Sequence, residues 1–193
     1  MTSLVWLTKM YEPLHAAHDF ARRAHFGQTR KGSKHTPYIR HCEEVAHLVW
    51  LADGNPDLMA CALLHDVPED SGFTLEDIRE KFGGEIYHIL FWLTDPESFD
   101  VLSTLDRKGQ QAVRLKSAPT SAKLVKLADQ VSNLRSMASD PPASWSREKR
   151  FGYIAGVFYV IRECRFASEF LYEESLRAYM DACEVTARTP ITA

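Results

Sequence analysis

An apolar stretch, Leu63-Leu64, ends in His65-Asp66 and is followed, across Val67 and Pro68, by Glu69-Asp70. An imidazole and three carboxylates gathered at one helix end would be costly to bury as like charges. Exposure to water offsets that cost, and so does a bound cation. Imidazole and carboxylate together form a good donor set for a divalent transition metal. The spacing by itself is equally compatible with a helix end whose acids face solvent.

Two further segments bear on the choice. His41 follows a polar, basic stretch (Gln28–Thr36) and stands near Tyr38 at the start of a predicted helix; a lone histidine there is more often a cap than a ligand. Downstream, Lys126, Asp129 and Asn133 recur at steps of three and four and share one helix face. Leu124, Ala128, Val131 and Leu134 of the same helix face the core, so Asp129 is flanked by core positions and needs a counter-charge. A metal at His65-Asp66 would supply it. The basic residues Arg30, Lys31 and Lys34 can neutralise phosphate, or simply form a solvated loop.

The elements that must hold these residues are helical. Apolar residues recur with helical spacing over 13–27, 37–51, 56–65, 75–83, 85–94, 104–117, 121–138, 146–164 and 166–188. Asn55-Pro56 reads as an N-cap followed by proline in the first turn, Thr74 to Asp77 as a capping box, and Gly83-Gly84 as a helix stop. No segment alternates strictly enough to be a strand, so the expectation is an all-α single domain, a bundle of about eight helices. The 193 residues are 45% hydrophobic and 25% charged, an ordinary globular composition. A formal charge of −3 makes duplex nucleic acid a poor partner. Cys42, Cys61, Cys164 and Cys183 form no paired motif and read as small buried hydrophobes. The longest uncharged apolar run, near 153–161, is far short of the ~20 residues a membrane helix needs, and the N-terminus lacks a secretory pattern, so no membrane association and a cytoplasmic location are expected. His15, His18, His25, His35, His47 and His88 read as surface or packing residues; Trp6, Trp50, Trp92 and Trp145 read as core or interface anchors.

His65-Asp66 resembles the paired signature of the HD phosphohydrolases. Gln28-Thr-Arg-Lys31, Thr36-Pro-Tyr-Ile-Arg-His41, Ala62 to Asp70, Phe82-Gly83 and Lys123 to Asp129 with Asn133-Leu-Arg135 are similar to the guanosine tetraphosphate hydrolases. These comprise the hydrolase half of RelA/SpoT-type enzymes and the small stand-alone alarmone hydrolases, including the animal Mesh type. The resemblance runs from about residue 14 to 133 and more weakly to the end. It implies one HD-type domain, with a metal and catalytic core over about 14–138 and completing helices over about 145–188.

By that resemblance His41, His65, Asp66 and Asp129 are the ligands of one divalent metal, with manganese the family's usual ion. Glu69 and Asp70 are the catalytic acidic pair. Arg30, Lys31 and Asn133 contact substrate, and Lys108, Lys149 and Tyr153 align less closely with basic and aromatic pocket residues. The implied reaction is hydrolysis of a nucleotide 3′-pyrophosphate, giving GDP or GTP, or the adenosine equivalents, plus pyrophosphate. The implied partner is thus a small nucleotide. Gln130, Ser132 and Pro68 depart from the family pattern without removing a ligand or an acid. Alternatives are a phosphatase acting on another 2′- or 3′-phosphorylated nucleotide such as NADPH, or a non-catalytic alarmone-binding module.

Overall fold

The computed structural model describes residues 11–189. Trp6, the N-terminal stretch read for a signal, and residues 190–193 lie outside the described part. Among the described residues the secondary structure is helical, with one isolated antiparallel bridge, Thr29 to Pro37, and no strand. No described helix is long and apolar enough to cross a membrane.

The chain clusters into two compact units. The first holds residues 11–29 and Pro37–Thr94, and the second holds Arg30–Thr36 together with residues 95–189. The first unit contains α1 (Glu12–Ala24), α2 (Ile39–Ala52), α3 (Pro56–Leu64), the single turn α4 (Val67–Asp70), α5 (Leu75–Phe82) and α6 (Gly84–Leu93). Its centre is α3. Every residue from Leu58 to Leu64 is buried, as expected of a helix that is apolar all round, and α1, α2 and α6 pack against it. Asn55 caps α3, its side chain accepting from the N–H groups of Asp57 and Leu58. The α5 cap is a full capping box between Thr74 and Asp77, and the chain turns at Gly83 into α6.

The helix expected over 56–65 ends at Leu64, and a single turn re-forms almost at once, with Pro68 in its first turn. Proline is tolerated in a first turn, where its missing N–H has no intrahelical partner to lose. The helix expected over 13–27 stops at Ala24, and the chain reaches left-handed backbone at Gly27.

The second unit contains a 3₁₀ turn (Glu97–Phe99), α7 (Thr104–Leu115), α8 (Thr120–Ser139), α9 (Arg147–Cys164) and α10 (Glu169–Arg188). Ser103, Ser146 and Ser168 cap the helices that follow them. The centre here is α8, with α9 and α10 packed on it and α7 packed on α9. At Gly156 a β-carbon would stand 2.7 Å from the Lys108 Cβ, so α7 and α9 approach where only glycine fits. Cys42, Cys61 and Cys164 are buried as expected, whereas Cys183 is only half-buried, on the partly exposed side of the terminal helix. Burial pushes the thiols of Cys61 and Cys164 up to about 12, which leaves them protonated and unreactive.

Candidate metal and nucleotide site

His65 closes α3, and Asp66 and Val67 begin the turn that places Glu69 and Asp70. The His65 Nδ1 lies 2.8 Å from the carbonyl oxygen of Ala62. A carbonyl only accepts, so Nδ1 carries the proton and Nε2 presents its lone pair. That Nε2 is 3.1 Å from Asp66 Oδ2, and the Nε2 of His41, from the first turn of α2, is 3.3 Å from the same oxygen. Both rings are almost fully buried.

An imidazole lone pair aimed at a carboxylate oxygen is repulsive unless a proton or a cation lies between them. The donor set therefore fits a metal: the three groups offer ligand atoms all within 4.8 Å of one another. Were the two rings protonated at Nε2 instead, the His65 charge and hydrogen bonds from both imidazoles would outweigh the burial that raises the Asp66 carboxyl and hold it well below its usual range.

The structure adds a support that sequence reasoning did not assign. The Tyr38 hydroxyl donates to Asp66 Oδ2 at 2.7 Å, and the Tyr38 ring lies against those of His41 and His25. His25, read as a packing residue, is buried as such, with Nδ1 2.8 Å from Gln28 Oε1. The Gln28 amide in turn donates to the carbonyl of Asp70. Glu69 is half-buried and Asp70 exposed, consistent with the turn after Pro68 carrying both away from the core.

In the second unit, Asp129 is buried on α8. Lys126 brings a positive charge to it, its Nζ 3.1 Å from Asp129 Oδ2. The Gln130 amide donates to the same oxygen at 2.7 Å, and Asn133 donates to Oδ1. Arg30 donates to Asn133 Oδ1 at 2.9 Å, which brings two of the predicted substrate residues together. Lys31 is exposed on the same loop.

Lys108, Lys149 and Tyr153 also cluster. Lys108 is buried, its ammonium 3.2 Å from Gln130 Oε1 and 5.6 Å from the centre of the Tyr153 ring. Lys149 lies 4.8 Å over the ring of Trp145, which meets Tyr153 edge to face. Trp145, read only as an anchor, thus belongs to this aromatic and basic group. Gln130, noted as a departure, is the bridge between Lys108 and Asp129.

A family profile described as HD domain matches residues 17–152. The chain belongs to the HD domain family. An HD domain implies a divalent metal, and His41, His65 and Asp66 can hold one. Among its relatives, the guanosine-3′,5′-bis(diphosphate) 3′-pyrophosphohydrolase MESH1 of Mus musculus is 34% identical over 163 residues, covering 83% of this chain and 89% of the relative. The Homo sapiens protein of the same name matches with the same identity and coverage. A solved structure described as a metazoan ortholog of SpoT that hydrolyzes ppGpp matches at 27% identity with a TM-score of 0.80, covering 88% of this chain and 95% of that one.

Proposed function

We propose that this protein removes the 3′-pyrophosphate of guanosine 3′,5′-bis(diphosphate), leaving GDP and pyrophosphate, as a cytoplasmic manganese enzyme. The observation that carries the reading is the convergence of two buried imidazole nitrogens on one Asp66 oxygen. It occurs in an HD chain 34% identical, across most of its length, to proteins named for this activity. The four ligands we assign are His41, His65, Asp66 and Asp129. We treat both units as one HD-type domain, a reading supported by a family match that runs through residues of each.

Held by these residues, manganese would polarise a phosphoryl oxygen and lower the pKa of a bound water. The remaining work falls to side chains. Glu69 and Asp70 share the proton transfers: one carboxylate takes the proton of the attacking water as the new oxygen–phosphorus bond forms, and the other supplies a proton to the 3′-oxygen as it leaves phosphorus. Arg30 and Lys31 neutralise phosphate charge, Arg30 with its planar fork held by Asn133. Lys108, Lys149 and Tyr153, with Trp145, offer two cations and aromatic faces to the nucleotide.

The test is to incubate purified, manganese-loaded protein with guanosine 3′,5′-bis(diphosphate), its 5′-triphosphate and adenosine counterparts, and NADPH, resolving products by anion exchange. GDP and pyrophosphate from the first substrate support the reading. Phosphate release from NADPH alone, or binding of the guanosine nucleotide without turnover, would replace it with one of the two alternatives. Metal analysis of Asp129→Ala, which should lose manganese, tests the fourth ligand separately.

A further inference from the structure

Arg30 and Lys31 sit on a seven-residue segment, Arg30–Thr36, that clusters with the second unit. Its neck is closed by the N–H of Arg30 donating to the carbonyl of Thr36 at 2.8 Å. Its far end is gripped by one side chain. Asp140, which caps the C-terminus of α8, accepts at Oδ1 from the Ser33 N–H (2.9 Å) and the Ser33 hydroxyl (2.8 Å). Its Oδ2 accepts from the Lys34 N–H at 3.0 Å, and the Lys34 ammonium reaches the carbonyl of Ser139 at 3.2 Å. One carboxylate therefore takes three donors from two successive residues. The packing leaves no slack: a β-carbon at Gly32 would overlap the Asp140 carboxylate.

The same helix meets the loop a second time, through Asn133 and the Arg30 guanidinium. Asn133 and Asp140 stand seven residues apart, about two helical turns. The loop is thus fastened to α8 both at its basic residue and beyond it. The negative charge of Asp140 is absorbed by the donors around it: the Lys34 N–H, the Ser33 hydroxyl and N–H, and the Lys34 charge hold its carboxyl below the usual range.

We propose that Asp140 is a positioning residue for substrate binding, clasping Ser33 and Lys34 so that Arg30 and Lys31 are already ordered when the nucleotide phosphates arrive. This rests on the reading of Arg30 and Lys31 as phosphate-binding residues. A loop that must be ordered by the substrate spends binding energy on its own immobilisation; a clasped loop does not. Loss of the clasp should therefore appear in KM, while kcat, set by the metal and the acidic pair, changes little.

The experiment compares Asp140→Ala, Asp140→Asn and Gly32→Ala, each alone and combined with Arg30→Ala/Lys31→Ala, on guanosine 3′,5′-bis(diphosphate) with manganese. Gly32→Ala opens the clasp from the loop side and leaves α8 unaltered, so it serves if Asp140→Ala folds poorly. Expected are a KM raised about 10-fold in Asp140→Ala and Gly32→Ala, a kcat within about 2-fold of wild type, and faster hydrogen exchange at the Ser33 and Lys34 amides. Asp140→Asn, which keeps an acceptor oxygen, should fall between. None of these changes should raise KM further once Arg30 and Lys31 are gone. If Arg30→Ala/Lys31→Ala raises KM and Asp140→Ala does not, the clasp has no positioning role. Full additivity of the two sets would also overturn it. If Arg30→Ala/Lys31→Ala leaves KM unchanged, the phosphate-binding reading fails, and the inference fails with it.

Discussion

The Lys126 ammonium stands 3.1 Å from Asp129 Oδ2, one helical turn away, with both side chains buried. Removing one member of a buried pair leaves the other charged and desolvated, which typically costs 3–5 kcal/mol. Gln130 and Asn133 still donate to Asp129 when Lys126 is lost. Lys126→Met should therefore fall near the lower end, about 3 kcal/mol. Lys126→Met/Asp129→Asn should recover much of that loss, because no isolated charge remains. Urea unfolding of the metal-free proteins checks both.

Tyr38→Phe removes only the hydroxyl that donates to Asp66 Oδ2. Groups that orient a ligand from behind usually matter by 10–100-fold in metal affinity or activity. We expect manganese affinity to fall by about 10-fold, near the lower figure, since His65 and its carbonyl partner are untouched. Calorimetric titration of manganese into the two proteins measures it.

Glu69→Gln and Asp70→Asn each keep size and hydrogen-bonding capacity while removing the proton-transfer role. Each should slow turnover by at least about 100-fold with manganese content unchanged. Wild-type rates in both variants would leave two solvent-facing acids after a helix end and no acid–base pair. Steady-state rates and metal analysis on the same samples decide it.

The Thr74–Asp77 capping box supplies a stability effect with a defined pH sign. The Asp77 carboxylate accepts from the Thr74 N–H and hydroxyl, both at 2.7 Å, and the Thr74 backbone hydrogen bond, then the hydroxyl, hold its pKa below the ordinary aspartate range. A carboxyl depressed in the folded state stabilises at pH above its unfolded value and loses that contribution as pH falls through its folded value. Asp77→Asn should therefore lower Tm by about 2–4 °C at pH 7. The gap to wild type should narrow once the pH drops below the ordinary aspartate range. Thermal melts of both proteins across that range follow the difference.

A few helix boundaries are legible in the sequence because capping is local. Asn55, Thr74 and Gly83 act where their types and neighbours indicated. His65-Asp66 and His41 were legible only partly from spacing; what tied them together was resemblance, since contact across α2 and α3 is set by packing and not by sequence separation. Tyr38 and Asp140 were harder to see. A tyrosine three residues before a histidine, or an aspartate before two prolines, carries no signature of its own. Their roles depend on which carboxylate or which loop the fold brings within hydrogen-bonding distance. Lys126 shares a helix face with Asp129, but its burial beside that carboxylate has no mark in the sequence, because lysines are rarely buried.

The partner that fixes the His65 ring belongs to the main chain: the carbonyl of Ala62, three residues back. Every residue type carries that oxygen, so no replacement at position 62 deletes it. The tautomer of the metal-facing imidazole is in this sense encoded by helical backbone and insulated from point mutation at its acceptor. What can undo it is fraying of the last turn of α3. Ring orientation and the integrity of that turn should therefore fail together, in variants whose altered residue touches neither.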